Sequence, residues 1–231
     1  MDSSLPPPAN QPVVAVVDDE PQVRRFLALA LAPLDAEVIE LSSAAEFRAA
    51  LESRSLDCAV IDLRLPDGCG LELAAEVQAR GLATSLVLVS GYANVRVAVQ
   101  AVQGGMIDVL EKPFVPEELL ATVTRGVKLC RQRHADLQTQ SAAKSRIAAL
   151  SDSERGVLKL VLAGLSNKVI AKTLGLGLRT VEARKSQLYR KLGADSLSEL
   201  VQVALASGLD RNPLAPSVQK PGAERSASAV R

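Results

Sequence analysis

The sequence predicts an α/β fold, a doubly wound parallel five-stranded sheet, joined by a helical linker to a smaller all-α domain. Three observations predict it. Between residues 13 and 130, short apolar runs alternate five times with stretches of helical period, the pattern of a parallel sheet covered on both faces by helices. From residue 151 onward only helical periods occur. The sign of the charge also changes: residues 12–130 hold 10 Lys/Arg against 17 Asp/Glu, a balance of −7, and residues 144–212 hold 12 against 6, a balance of +6. Such segregation points to two jobs, one handling cations and one a polyanion.

The elements follow in order. Residues 13–17 (VVAVV) are wholly apolar, as a strand buried on both faces requires. Residues 21–33 open with Pro21 in the first helical turn and keep a helical period. Residues 36–41, 57–62, 85–90 and 106–110 read as the next four strands, and 43–53, 70–80, 94–103 and 116–130 as the helices after them. Residues 131–150 contain neither Gly nor Pro, so helix is predicted to continue as a semi-rigid spacer. Ser151 and Glu154 have the spacing of a capping box at the head of the next helix, which runs to 164. Asn167 is placed to cap a helix over 168–175. The short turn Gly175-Leu176-Gly177 leads into a third helix over 179–193, and Ser196 with Glu199 forms a second capping box before 196–208.

Composition excludes several classes. No apolar run approaches the roughly 18 residues of a membrane helix. The Pro-rich lead, residues 1–12, reads as flexible and as neither a signal nor a transit peptide, and residues 212–231 read as a disordered tail. Cys58, Cys69 and Cys130 lie in no metal-ligand spacing and there is one His, which argues against zinc and for reduced thiols. With no Trp and 2% aromatics, a base-stacking surface for single strands is not expected.

In an open parallel sheet, ligands sit beyond the carboxyl ends of the strands. This chain places Asp18 and Asp19 after the first strand, Asp62 at the end of the third, Ser90 at the end of the fourth and Lys112 after the fifth. Any one of these alone reads as a turn or cap residue. Together they form a rim of like charges that a hard divalent cation would compensate. A carboxylate there is a nucleophile toward phosphorus, and a hydroxyl and an ammonium are donors for phosphoryl oxygens. The set reads as a phospho-acceptor site on Asp62.

The motifs VVDDE (16–20), VIDLRLPDGCGLEL (60–73), VSGYANVRVAVQAVQGG (89–105) and DVLEKPF (108–114) resemble, in this order, a bacterial response-regulator receiver domain over residues 13–130. The resemblance implies a CheY-like, flavodoxin-type strand order of 2-1-3-4-5. It implies that Asp62 is phosphorylated, that Asp19 and Asp62 bind Mg²⁺ (or Mn²⁺) directly with Asp18 acting through water, and that Arg64 lends its backbone carbonyl. Ser90 and Lys112 would receive the phosphoryl group. One departure concerns the switch: receivers carry Phe or Tyr where this chain has Val109. Ser90 would still move, and Tyr92 is placed to stand in for part of the missing ring.

Residues 151–211 form the predicted helix-turn-helix domain. Its third helix carries Arg179, Arg184, Lys185, Arg190 and Lys191 against Glu182, a charge suited to the DNA major groove. Residues 151–208 resemble the LuxR/NarL/FixJ-type helix-turn-helix. The resemblance places Glu182, Ala183, Arg184 and Ser186 toward the groove, with Arg179, Thr180, Lys185, Lys191 and the helix start at Asn167 and Lys168 toward phosphates. The whole chain is similar to a two-component response regulator. That implies a cytoplasmic bacterial protein, a sensor histidine kinase as donor, dimerisation on phosphorylation, promoter DNA as target, RNA polymerase as a further partner and no membrane. It also implies no enzyme activity beyond turnover of its own aspartyl phosphate. Two other readings stay open at this level: a small phosphohydrolase using Asp62 as a transient nucleophile, and an adaptor that works without phosphorylation.

Overall fold

Alternation along the first strand sets the architecture. In β1 (Val13–Val17), Ala15 and Val17 face one core while Val14 and Val16 face a second. The same division holds in β3 (Cys58–Asp62), where Ala59 and Ile61 oppose Cys58 and Val60. Both faces of these strands are therefore dry, which is why they read as unbroken apolar runs. The computed structural model describes residues 11–91 and 95–209, so Tyr92, residues 1–10 of the predicted lead and the predicted tail lie outside the described residues.

The remaining elements of the first unit are α1 (Pro21–Ala30), β2 (Glu37–Leu41), α2 (Ala44–Ser53), a hairpin of β4 (Arg64–Leu65) and β5 (Gly68–Cys69), α3 (Gly70–Ala79), β6 (Ser85–Ser90), α4 (Val95–Gln103) and β7 (Asp108–Glu111). The five long strands pair in parallel in the order β2-β1-β3-β6-β7. This is the predicted 2-1-3-4-5 order once the two-residue hairpin is set aside. Phe47, Leu73, Val77 and Ala101 bring α2, α3 and α4 onto one face. Leu27 and Leu31 of the α1 region, with Leu119, Val123 and Val127 of α5 (Pro116–Ala148), cover the other.

Differences from the sequence reading are local. The first helix stops at Ala30 and gives way to a 3₁₀ turn at Ala32–Leu34, because Pro33 cannot continue the α-helical hydrogen bonding. The fifth strand is shifted to Asp108–Glu111, two residues later than predicted at its start. The β4–β5 hairpin was not predicted, since two-residue strands carry no period.

The boundary between the two structural units falls between Asp136 and Leu137, inside α5. The second unit holds α6 (Asp152–Leu162), α7 (Asn167–Leu174), α8 (Leu178–Leu192) and α9 (Leu197–Ala206). Ile147, Leu158, Ile170, Val181, Leu188 and Leu200 form its core. The capping box at α6 is complete: the Ser151 hydroxyl accepts from the Glu154 N–H, and the Glu154 carboxylate accepts from the Ser151 N–H at 2.9 Å. At α9 only half of the box forms. Ser196 caps the Glu199 N–H, but the Glu199 carboxylate reaches one residue further, to the Asp195 N–H. The predicted cap on α7 is also displaced. Ser166 holds the extended N-cap conformation, its carbonyl accepts from Val169 and Ile170, and Asn167 is already the first helical residue.

Candidate functional site

Parallel register brings the predicted rim together. Val17 pairs with Ile61, so the residues that follow, Asp18 and Asp62, leave adjacent strands at one level. The pleat puts Asp62 on the side of Cys58 and Val60, and Lys112 follows Leu110 on that side. There the Lys112 Nζ donates to Asp18 Oδ2 at 2.8 Å and to Asp62 Oδ1 at 2.6 Å. Ser90 lies on the opposite side of the sheet, with Leu86 and Leu88, and is buried; its carbonyl accepts from the Lys112 N–H at 2.9 Å. The Lys112–Pro113 peptide is cis.

The electrostatics follow from burial. Asp18 is 1% exposed, and a carboxylate that dry needs a cation and donors. Lys112 supplies the cation, and the Glu20 N–H donates to Asp18 Oδ1 at 2.9 Å. Burial by itself would pull the Lys112 ammonium down. The hydrogen bonds and charges of Asp18 and Asp62 outweigh it and hold its pKa above the ordinary lysine value. Asp62 Oδ2 accepts from the Arg64 N–H at 2.6 Å, which fixes the second carboxylate oxygen.

Three residues that the sequence did not single out shape this rim. The Arg24 Nη1 donates to the carbonyls of Asp18, at 2.7 Å, and Asp19, at 3.1 Å, and pins the loop after β1. The Asp67 carboxylate, in the β4–β5 turn, accepts from the Ala44 and Ala45 N–H groups at the head of α2, each at 2.8 Å. Those bonds hold its pKa below the usual carboxylate range. Gly70 opens α3 against the end of β3, where an added Cβ would lie 2.6 Å from the Asp62 carbonyl oxygen. A cation five residues after an Asp pair and a glycine after a short turn were the available signals, and neither is specific without the fold.

The predicted metal set is only partly assembled. Asp18 and Asp62 converge on one cationic atom, whereas Asp19, next in the chain, is exposed. Among the described residues, no three His, Cys, Asp or Glu side chains group as a metal centre. The donor chemistry nevertheless fits a hard divalent ion, because all the candidate groups are oxygens and two already point at one positive charge. Val109, half-buried, packs on the same side of the sheet as Ser90, in the core that also holds Val97.

In the second unit, α7 and α8 are joined by a turn in which Gly175 takes φ +64°. Leu176 and Gly175 return hydrogen bonds to Ala171 and Lys172, which closes α7 and turns the chain sharply into α8. Val181, Leu188 and Leu192 bury one stripe of α8. Arg179, Thr180, Glu182, Ala183 and Ser186 are exposed, and Lys185 is half-exposed. Asn167 lies with Glu182, Lys185, Ser186 and Arg190 along one surface groove of about 610 Å³. The head of α7 and the outer face of α8 thus border a single concavity.

Two of the expected DNA-facing cations are also paired within the domain. The Lys191 Nζ is held by Glu154 at 2.8 Å, and Arg184 donates to the Ser153 hydroxyl. Their spacing of seven residues puts both on the side of α8 facing α6. Lys191 itself stays exposed, and its ammonium pairs with a carboxylate that is 6% exposed.

Comparison with known proteins agrees with this division. Residues 14–124 match the family described as response regulator receiver domain, and residues 148–204 match bacterial regulatory proteins, luxR family. The chain is 38% identical over 196 residues to the transcriptional regulatory protein FixJ of Azorhizobium caulinodans, covering 85% of this chain and 93% of that protein. Among solved structures, the response regulator StyR superposes with a TM-score of 0.74 at 31% identity, covering 84% of this chain and 98% of that one. Full-length FixJ from B. japonicum gives 0.51 at 32%, covering 86% and 98%. Among the described residues, no helix is long and apolar enough to cross a membrane.

Proposed function

We propose, from the premise that the chain belongs to the two-component response regulators of the FixJ/NarL class, phosphorylation-controlled transcription regulators with a receiver and a LuxR-type DNA-binding domain, that Asp62 is the phospho-acceptor and that its state governs how α8 engages duplex DNA. The observation that carries this is the Lys112 bridge between Asp18 and Asp62 at the carboxyl ends of the strands. One Asp62 oxygen attacks the phosphorus of a sensor kinase phosphohistidine. The P–N bond breaks, the imidazole leaves with its electron pair, and an acyl phosphate forms. Lys112 is placed to donate to the new phosphoryl oxygens, with Ser90 closing from the other side of the sheet. Asp18, Asp19, Asp62 and the Arg64 carbonyl would hold Mg²⁺ or Mn²⁺, which when bound shields the charge of the incoming group. The chain then acts on its own carboxylate, not on external esters.

The output follows from the opposite side of the sheet. Ser90 and Val109 share the core beneath α4, and α4 exposes Val95, Val99 and Val102. Phosphorylation repacks this face, and the apolar stripe supplies a dimer surface. With Val in place of an aromatic ring, the movement is carried by Ser90 and α4. Two copies present two α8 helices to two promoter half-sites. Glu182, Ala183 and Ser186 face the bases, while Arg179, Thr180, Lys185 and the Asn167–Lys168 helix start meet phosphates.

The test is labelling with acetyl phosphate and Mg²⁺, read by intact mass. The wild-type chain gains one phosphoryl group and Asp62→Asn gains none; a D62N chain that is still labelled overturns the assignment.

A further inference from the structure

Three basic side chains close a ring through the helices of the second unit. Near the end of α5, the Arg146 Nη1 donates to the carbonyl of Leu192, the last residue of α8, at 3.0 Å. Lys191 of α8 donates to Glu154 at the head of α6, at 2.9 Å. Arg155 of α6 donates to the carbonyls of Leu150, at 3.1 Å, and Ala148, at 3.5 Å, where α5 ends. The cations reach the carboxyl ends of α8 and α5, and Glu154 puts a carboxylate at the amino end of α6, the signs those helix ends favour.

The Arg146 contact completes the end of α8. Ala194 and Gly193 return their N–H groups to the carbonyls of Tyr189 and Arg190, the two bonds of a Schellman turn. The Leu192 carbonyl lies beyond that pair, and Arg146 takes it. Gly193 leaves room for it: φ is +63° there, and a Cβ would lie 3.2 Å from the Arg146 Nη1. Ala143, Ile147 and Leu150 are buried alongside, so the last turns of α5 are part of the platform under α8.

We propose that Arg146 is a positioning residue for DNA binding. From the last turn of α5 it fixes the carboxyl end of α8, and with it the angle at which the exposed face meets the groove, without touching DNA. This rests on the reading of α8 as the groove-docking helix.

The full chain, Arg146→Gln and Arg146→Lys are titrated, after acetyl phosphate treatment, onto a fluorescent duplex that the wild-type chain enriches from a randomised pool, at several salt concentrations. R146Q is expected to bind about tenfold more weakly. R146K, which keeps a charged donor, falls between R146Q and wild type. In both, the slope of log affinity against log salt matches wild type, because no phosphate contact is lost. A slope shallower by about 0.9 makes Arg146 a phosphate contact and overturns the proposal. Wild-type affinity in R146Q, or in R146K should R146Q not fold, overturns it too. A wild-type chain that enriches no duplex overturns the reading of α8 and this role with it; an unaffected R146Q beside a binding wild type overturns the role alone.

Discussion

Charge is used in opposite ways by the two units. In the first, Asp18, Asp62 and Lys112 meet within 2.8 Å at a place where Asp18 is almost wholly dry. In the second, Arg179, Lys185 and Arg190 are spread along one exposed or half-exposed face. The crevice works at low dielectric and at fixed distances, so its function depends on individual atoms held by sheet register. The face of α8 works in water against a polyanion, so its contributions are small, additive and screened by salt. Single changes should therefore act almost as a switch in one unit and as increments in the other.

The strongest test of that contrast leaves every charge in place. Gly70→Ala puts a methyl group 2.6 Å from the Asp62 carbonyl oxygen and 3.0 Å from Leu88 Cδ1. Neither the strand nor the helix start can yield without moving Asp62. The initial rate of labelling by acetyl phosphate should fall by at least about tenfold, with stability lowered by about 1–3 kcal/mol. DNA binding by the unphosphorylated chain should not change. A G70A chain labelled at the wild-type rate would mean that the register does not set the acceptor's position.

That test also marks where the sequence stopped being informative. Asp18, Asp62, Ser90 and Lys112 were legible because each closes or follows an apolar run, and parallel strands of one sheet end at one rim. Gly70 and Arg24 were not, because their importance lies in a close approach to backbone atoms of other elements. The helices of the second unit were legible from their period and Gly turns. The direction of the α8 cations was not. A run such as RKSQLYRK shows how many charges a helix has, but only packing against α6 decides that Lys191 and Arg184 bond to Glu154 and Ser153 of that helix. The α7 cap moved by one residue for a similar reason, since Ser166 and Asn167 are both good caps and the chain path chooses between them.

The division among the α8 cations gives the next test, of middling size. Arg179 is exposed at the head of α8 and should contact phosphate. Arg179→Ala should weaken binding about three- to tenfold on every duplex and make the salt slope shallower by about 0.9. Lys191→Gln should leave the slope unchanged, because its ammonium is held by Glu154. Titrations of both variants across salt concentrations check this. Equal slopes for R179A and wild type, or a shallower one for K191Q, would reverse the assignment of which α8 cations meet phosphate.

The smallest expected effect concerns Glu154, a carboxylate of the second unit that resembles the crevice in its burial. Glu154 is held by Lys191 and by the Ser151 N–H and hydroxyl, and the Lys191 ammonium with these donors lowers its pKa to about 2. A carboxyl group with a depressed folded-state pKa stabilises the fold when ionised. Its contribution is complete above the unfolded value of about 4.3, shrinks as the pH falls from there, and is gone below about 2. Glu154→Gln keeps the length of the capping side chain and removes the charge. The variant should melt several degrees below wild type at pH 7, and the gap should close between pH 4 and pH 2 when thermal unfolding of the full chain is followed by circular dichroism. A gap of the same size at pH 2 would mean that Glu154 acts as a neutral cap and that its pairing with Lys191 contributes nothing to stability. The absence of any gap at pH 7 would mean that even a nearly buried carboxylate paired with Lys191 behaves in this unit like the exposed charges of α8, and the contrast between the two units would then hold for all of their charges.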